Sequence, residues 1–356
     1  MTATRTRYML QAMLAAVLFG ASPPLAKLLL GKVEPVPMAA LLYLGSAIGL
    51  ILYRVIRRLA SGKIDAGPGI ERADLPWLAG ATLAGGVAAP IVLMFSLRRT
   101  PAATASLLLT FEGVATTLIA TLVFSESVGK RVWAALICIT AASIALAWDG
   151  GTWGFSIGAM GILGACLLWG LDNNFTRNLS TKDPLAVTTV KGLVAGGFSL
   201  LLVFFLGAPL PDVWAALGAM ALGFVSYGLS IVLFIMALQG LGAARTSAWF
   251  GTAPFVGSAL SLLLFLTLPT WPFFAAMPLM ILGAVLLFRE DHRHRHIHAF
   301  LRHEHRHTHD EEHYRHTHEG TENIGGTHSH PHAHETAEHD HPHAPDIHHR
   351  HDRSDK

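Results

Sequence analysis

The sequence predicts an all-α polytopic membrane protein, with ten transmembrane helices arranged as two inverted five-helix repeats. Three observations carry that prediction. Apolar runs long enough for a bilayer of about 30 Å, which takes about 20 helical residues, recur ten times between residues 8 and 288. Ungapped internal matches relate the first five runs to the last five. The charges are sorted as well: of 356 residues 52% are hydrophobic and only 14% charged, and all 21 His lie at or after His292. Before Arg289 there are 17 Lys plus Arg against 10 Asp plus Glu, and from Arg289 onward 9 against 14. The overall charge of +2 thus joins two materials, a basic membrane body and an acidic, His-rich tail. The expected units are a first repeat over 1–148, a second over 149–288 and a tail over 289–356.

Helices are preferred to strands because lipid-facing backbone must be satisfied within its own segment, and the runs lack the alternation of an outer-membrane barrel. Helix one, over 8–30, follows Arg5 and Arg7 and contains Pro23 and Pro24, which would kink or open it. Its length exceeds that of the apolar region of a secretory signal, the rival reading. Helices two and three are expected over 36–56 and 75–97. Helix four, over 102–124, has Glu112 at its middle, and helix five, over 132–148, holds Cys138. Helix six, over 155–176, holds Cys166 and ends on Asp172-Asn173-Asn174. Helix seven, over 184–206, carries Lys191, and helix eight covers 213–237. Helix nine, over 246–268, contains Pro254, and helix ten covers 271–288. Both cysteines lie in apolar spans, as packing residues rather than a disulfide or metal pair. Gly154 with Gly158, and Gly192 with Gly196, have the spacing of close helix contacts.

With the N-terminus inside, the inner segments hold twelve Lys or Arg and the outer ones four: Lys27, Lys32, Arg98 and Arg99. The positive-inside rule then places both termini in the cytoplasm and 149–154 on the opposite side. The expected location is the cell (inner) membrane. The repeat rests on two matches. Leu18–Lys27 aligns with Leu168–Arg177, setting Gly20 against Gly170 and Lys27 against Arg177. Leu97–Phe124 aligns with Leu238–Phe265, setting Ser106 against Ser247. Helix one therefore pairs with helix six and helix four with helix nine. Five helices per unit is odd, so the second unit enters from the other side, a plan that puts a substrate site between the halves.

Trp169-Gly170 opening the second unit, Phe111-Glu112-Gly113, and Phe124-Ser125-Glu126 followed by Gly129 resemble the EamA-type branch of the drug/metabolite transporter superfamily. The resemblance covers residues 8–288. It implies transport, often export, of a small organic solute without an ATP-binding cassette. It also implies that Glu126 matches the acidic residue ending helix four, in an interfacial role. Where that family often carries proline in helix four, this chain has Gly113, whereas the second repeat keeps Pro254.

The candidate substrate and coupling residues are Glu112, Asp172, Asn173, Asn174 and Lys191. Ionisable groups at membrane depth are costly and mark function by default. Asp172 and Lys191 lie at similar depth on consecutive helices, so a structural ion pair competes with a role in solute or proton binding. Glu112 has no evident partner at its depth. Desolvation favours the protonated form of such a carboxylate, which suits it to proton coupling. Asn173 and Asn174 either bind a polar solute or bond to neighbouring helices.

In the tail, His292, His294, His296 and His298 alternate with other residues, as do His303, His305, His307 and His309, and His328, His330, His332 and His334. No apolar core is available, so disorder is expected. Imidazoles beside Asp and Glu can hold Zn or Ni, so divalent metal is the one ligand expected on the tail and no cofactor is required by the body. No nucleophile-base pairing, P-loop or dinucleotide fingerprint is present, so no enzyme is expected. The functional expectation is a secondary active transporter exporting a small organic metabolite, with proton coupling, by alternating access. Its alternative is a divalent metal (Zn/Ni/Co) transporter or metal-buffering membrane protein using the tail. Expected partners are the solute, the lipid bilayer and divalent metal ions. No nucleic acid is expected, and a homodimer is left open.

Overall fold

The apolar runs fold as helices in a computed structural model that describes residues 3–61, 68–124, 128–148, 155–180, 182–241, 243–288, 295–298, 301–307, 328–334 and 337–340. α1 (Ala3–Gly20) and α2 (Ser22–Leu29) are one rod broken at Ala21. Pro23 and Pro24 cause the break, since neither supplies the N–H that would reach back to the carbonyls of Phe19 and Gly20. α3 (Pro35–Ser61) follows. α4 (Leu75–Ala81) runs through a π-helical turn, Thr82–Ala88, into α5 (Ala89–Arg99). α6 (Ala102–Leu108) and α7 (Phe111–Val123) are again one rod with a break, at Leu109–Thr110. α8 (Lys130–Ala147) closes the first half.

The second half repeats this order. α9 (Ile157–Arg177) is capped by the Ser156 hydroxyl, and α10 (Pro184–Phe205) by the Asp183 carboxylate, which accepts from the Leu185 N–H at 2.9 Å. α11 (Val213–Gly223) passes through a second π-helical turn, Phe224–Leu229, into α12 (Ser230–Leu241). α13 (Ala243–Phe250) and α14 (Ala253–Phe265) are parted at Gly251–Thr252, and α15 (Trp271–Phe288) ends the body. Interruptions therefore recur at matching places: π turns in the third rod of each half, breaks in the fourth.

Among the described residues, eight helical stretches are long and apolar enough to cross a membrane: Thr6–Leu29, Pro35–Ala60, Arg72–Arg99, Ala102–Val123, Lys130–Ala147, Pro184–Phe205, Val213–Leu238 and Arg245–Phe265. α9 and α15 are not among them. Asp172, Asn173 and Asn174 dilute the apolarity of α9, and α15 offers a shorter apolar stretch, Trp271–Leu287. The outer surface is apolar, with Phe205 85%, Ile157 74%, Leu263 73% and Ile137 67% exposed. Water would penalise so much bare hydrocarbon; lipid does not.

The interior is filled by Met38, Leu42, Leu93, Leu97, Ile139, Ile162, Phe273 and Met280. Helix contacts obey one rule. α3 packs on α10 and α8 on α15; α5 meets α9 as α1 meets α12; α7 meets α9 as α1 meets α14. Small residues allow these approaches. A Cβ on Gly196 would stand 2.8 Å from the Leu44 nitrogen, and one on Gly170 2.8 Å from the Thr116 nitrogen. Gly192 likewise adjoins Ala47, whereas Gly154 lies outside the described residues.

At one end of the bundle an ionic network ties the start of α10 to the chain before α4. Asp183 pairs with Arg54, and its N–H donates to the Pro68 carbonyl at 3.1 Å. Lys182 reaches Glu71 at 2.6 Å and Asp74 at 3.3 Å. Burial works against the Lys182 charge, but its hydrogen bonds to Glu71 and Asp74 prevail and hold the ammonium above the ordinary lysine range.

In the tail the described residues are four short strands. β1 (Arg295–His298) pairs antiparallel with β4 (Ala337–Asp340), and β2 (Leu301–His307) with β3 (His328–His334). Alternating His has the strand period of two, so these segments can pair their backbones without a core. Isolated two-stranded ladders are marginal in water. His296, His298, His303, His305, His307, His328, His330, His332 and His334 lie on the strands; His292, His294 and His309, with Glu126, lie outside the described residues.

Candidate functional site

The broken rods meet around a cavity of about 370 Å³. α1 and α2 supply Phe19, Gly20 and Pro23; the α6–α7 break supplies Ser106, Leu109, Thr110, Glu112 and Gly113; α9 supplies Asn173. The second half adds Phe234 from α12, Ser247 and Phe250 from α13, Gly251, Ala253 and Pro254 at the next break, and Ala284 and Leu287 from α15. The sequence folds this way because each break removes helical donors. Around Thr110 the N–H groups of Thr110, Glu112 and Gly113 reach only three residues back, to the carbonyls of Leu107, Leu109 and Thr110 respectively. The helix tightens there and turns Glu112 into the space. Close approach completes the wall: a Cβ on Gly257 would strike the Gly20 carbonyl, and one on Gly20 the Ala253 carbonyl.

Glu112 and Asn173 form the polar pole of the cavity. Asn173 Nδ2 donates to Glu112 Oε1 at 2.8 Å and to Thr116 Oγ1 at 3.1 Å, while the Thr116 hydroxyl donates to the Glu112 carbonyl at 2.9 Å. Among the described residues no Lys, Arg or His pairs with Glu112. The Thr110 hydroxyl, on the same wall, is buried without a hydrogen-bond partner. Aromatic rings line the same cavity. Phe250 lies 5.1 Å from Phe19 and 4.9 Å from Phe234 between centroids.

The other candidates stand behind the wall. Asn174 is buried and donates to the Gly170 carbonyl at 2.8 Å and the Thr116 carbonyl at 3.0 Å, binding α9 to α7. Asp172 is 5% exposed and pairs through both oxygens with Lys191, and its Oδ1 also accepts from the Thr176 hydroxyl at 3.0 Å. Gly85, in the π turn, makes this fit, because a Cβ there would collide with the Asp172 carboxylate. The Gly85 carbonyl accepts from Tyr43 Oη at 2.7 Å and from Trp169 Nε1 at 3.0 Å. Tyr43 stacks on Tyr227 with centroids 6.0 Å apart, and Tyr227 Oη accepts from the Ser22 hydroxyl at 2.9 Å. A polar layer thus crosses the bundle next to the cavity, sharing α9 with it.

Beyond that layer the α2 end of the bundle carries polar contacts of its own. α1 begins against the α12–α13 turn, where Ala12 packs with Ala237 and Leu241, so α2 ends at the opposite side. There Lys27 Nζ donates to the carbonyls of Leu97 (2.7 Å) and Thr100 (2.5 Å), and Arg98 pairs with Glu34 at 2.6 Å. Among the described residues no three His, Cys, Asp or Glu side chains converge as a metal site.

The geometry unites two of the five candidates, Glu112 and Asn173, in the cavity and sets Asp172, Asn174 and Lys191 beside it. Sequence reasoning passed over Thr110, the three phenylalanines and Lys27. The repeat alignment held a usable signal, since its matched positions Ser106 and Ser247, Thr110 and Gly251, and Gly113 and Pro254 all line the cavity.

Residues 6–148 and 156–289 match the EamA-like transporter family. An uncharacterized transporter of Methanothermobacter thermautotrophicus is similar, 27% identical over 260 residues, 68% of this chain and 75% of that protein. A protein crystal structure with 17% identity superposes at a TM-score of 0.57, covering 78% of this chain and 94% of its own, a likeness of fold. With apolar helices along its body and the family match spanning most of its length, this multi-pass membrane protein belongs to the EamA-like transporter family.

Proposed function

We propose that the protein is a secondary transporter, working by alternating access, that carries a small organic metabolite through the cavity between its halves, with export the expected direction. The carrying observation is the cavity itself: broken helices converge on a space lined by the Glu112 carboxylate, the Asn173 amide and three phenylalanine rings. That combination suits recognition of a small solute. In this reading α9 and α15 complete ten spans, and α1–α8 and α9–α15 are inverted repeats. The helix contacts support it, because exchanging the two halves maps α5 on α9 to α12 on α1, and α7 on α9 to α14 on α1. The matching π turns and breaks support it too. In this reading the protein lies in the cell (inner) membrane, and the charge distribution supports putting both termini in the cytoplasm.

Glu112 is proposed as the proton-coupling group, with Asn173 beside it in the solute site. Asp172 and Lys191 neutralise each other, and Asn174 holds α9 to α7. The test is a metabolite and metal screen in membrane vesicles, with and without a pH gradient, on the full chain and on a chain ending at Phe288. A metabolite signal that depends on the gradient and survives truncation is expected. A signal for divalent metal alone, lost with the tail, would overturn the reading.

A further inference from the structure

The two ladders of the tail set histidines opposite one another. In β2 and β3, His303 stands opposite His332, His305 opposite His330 and His307 opposite His328, and in β1 and β4 His296 stands opposite His339. Both ladders keep one alignment, because the step from Arg295 to Leu301 on one arm is matched by the step from Asp340 to His334 on the other. Residues two apart share a face of a strand, so β2 and β3 bring six histidines to one face as three cross-strand pairs. Arg302, Glu304 and Arg306, with their partners Ala333, Pro331 and Ser329, take the other face.

That spacing suits a metal ion. Directly opposite residues hold their Cβ atoms about 4.5–5.5 Å apart. Two nitrogens on one tetrahedral zinc, each about 2.0–2.1 Å from the ion, are themselves about 3.3 Å apart, within reach of such a pair. Same-face neighbours along one arm are about 6.6 Å apart, a wider bite. Neutral imidazole is a ligand for zinc, nickel and copper, whereas calcium and magnesium take oxygen. The ladder in turn gains from an ion. Two strands alone are marginal in water, and these arms, Leu301–His307 and His328–His334, are mostly His, Arg, Glu and Ser, with little hydrocarbon to bury. Pairing them also closes a long loop, an entropic cost that a link between the arms offsets.

We propose that the tail is a metal-closed hairpin: a divalent transition-metal ion of the zinc or nickel class is held by one histidine from each arm, at His303 with His332, His305 with His330 or His307 with His328. Ion binding and pairing of the arms are then one event. Each pair supplies two ligands and water completes the shell, in keeping with the finding that no three His, Cys, Asp or Glu converge among the described residues. The tail registers metal as a change of shape, open without the ion and paired with it.

The test uses the full chain in nanodiscs, with Cys138→Ser and Cys166→Ala, spin-labelled at Arg302→Cys and Ala333→Cys, positions opposite each other in the ladder. Zinc at about pH 7.5, where imidazoles are neutral, should bring the labels together, seen as dipolar broadening that EDTA reverses. Changing the histidines of one arm (His303→Asn, His305→Asn and His307→Asn) or of the other (His328→Asn, His330→Asn and His332→Asn) should abolish that broadening. Calorimetry with zinc on the unlabelled chain should show either variant losing as many as three bound ions, one per pair. Combining the changes in both arms should lose no more than either alone, because each ion needs both. A control that gives up as many histidines beyond β4, His348→Asn, His349→Asn and His351→Asn, should keep the broadening. Labels that zinc does not bring together, broadening that survives the loss of one arm, or broadening lost as fully in the control would each overturn the proposal. Ion losses that add when the two arms are combined would overturn it as well, and would assign the ions to separate arms.

Discussion

Removing the Asp172 charge while keeping its shape, as Asp172→Asn, should destabilise the protein by about 3–5 kcal/mol, the usual consequence of stranding one partner of a buried ion pair. The structure places the pair at the costly end of that range. The Asp172 side chain is 7% exposed and that of Lys191 16%, so neither gains much from solvent. Lys191 lies about eight residues past Asp183, roughly 12 Å along α10, too deep for its ammonium to reach the end of the helix. The introduced amide could still accept from Thr176, yet it would leave the ammonium without a counter-charge. Lys191→Met strands the carboxylate in the same way and should also destabilise the protein. The double change leaves no charge and should recover most of the loss. Thermal unfolding of purified protein in one detergent measures this, with the single Asp172→Asn change lowering the midpoint by several degrees. Stability unchanged in Asp172→Asn would refute the reasoning. Normal folding of every variant, with transport lost and not rescued by the double change, would move Asp172 into direct contact with solute.

Three other outcomes are expected. Lys27→Met removes the two hydrogen bonds to Leu97 and Thr100, so a cysteine at Ser22 should react faster with an impermeant thiol reagent from the α2 end; an unchanged rate would show that Lys27 does not hold that end closed. Gly170→Val drives a side chain against Ala115 and Thr116 backbone atoms 2.8 Å away and should cost about 3 kcal/mol, seen as lost monodisperse protein, whereas full recovery of folded protein would contradict the close α7–α9 approach. The full chain should take up nickel or zinc at pH 7.5 more than a chain ending at Phe288, and the difference should fade as pH drops through about 6.5, where imidazoles protonate; equal uptake by the two chains would exclude the tail as a metal ligand.

Much of this molecule is legible in its sequence because lipid imposes one-dimensional rules. Apolar length marks the rods, and prolines mark the first-helix break. The costly depth of Asp172 and Lys191 leaves a pair and a binding role as rival readings, and the structure joins the two side chains. What stays hidden depends on rotation and on distant contacts. Asn173 reaches Glu112 across 61 residues, and nothing local in Phe111-Glu112-Gly113 announces it. Phe19, Phe234 and Phe250 read no differently from the lipid-facing Phe205, since an apolar run does not reveal which of its rings turns inward. The π turn at Thr82–Ala88 adds one residue per turn with only Gly85, Gly86 and Pro90 to hint at it, yet it decides where the Asp172 carboxylate can sit. Asn173 and Asn174 are neighbours in sequence and divide their labour because successive helical side chains point about 100° apart, one into the cavity and one into the α7 backbone.

The central claim is that the carboxylate in this cavity couples solute movement to protons. Its most direct test is proton flux in proteoliposomes carrying a pH-sensitive dye, recorded on adding a solute found in the vesicle screen, for the unmodified protein and for Glu112→Gln. The account predicts solute-driven proton movement in the first and none in the second, with Glu112→Gln folded and still exchanging solute for solute. Proton movement of equal size in Glu112→Gln would contradict it.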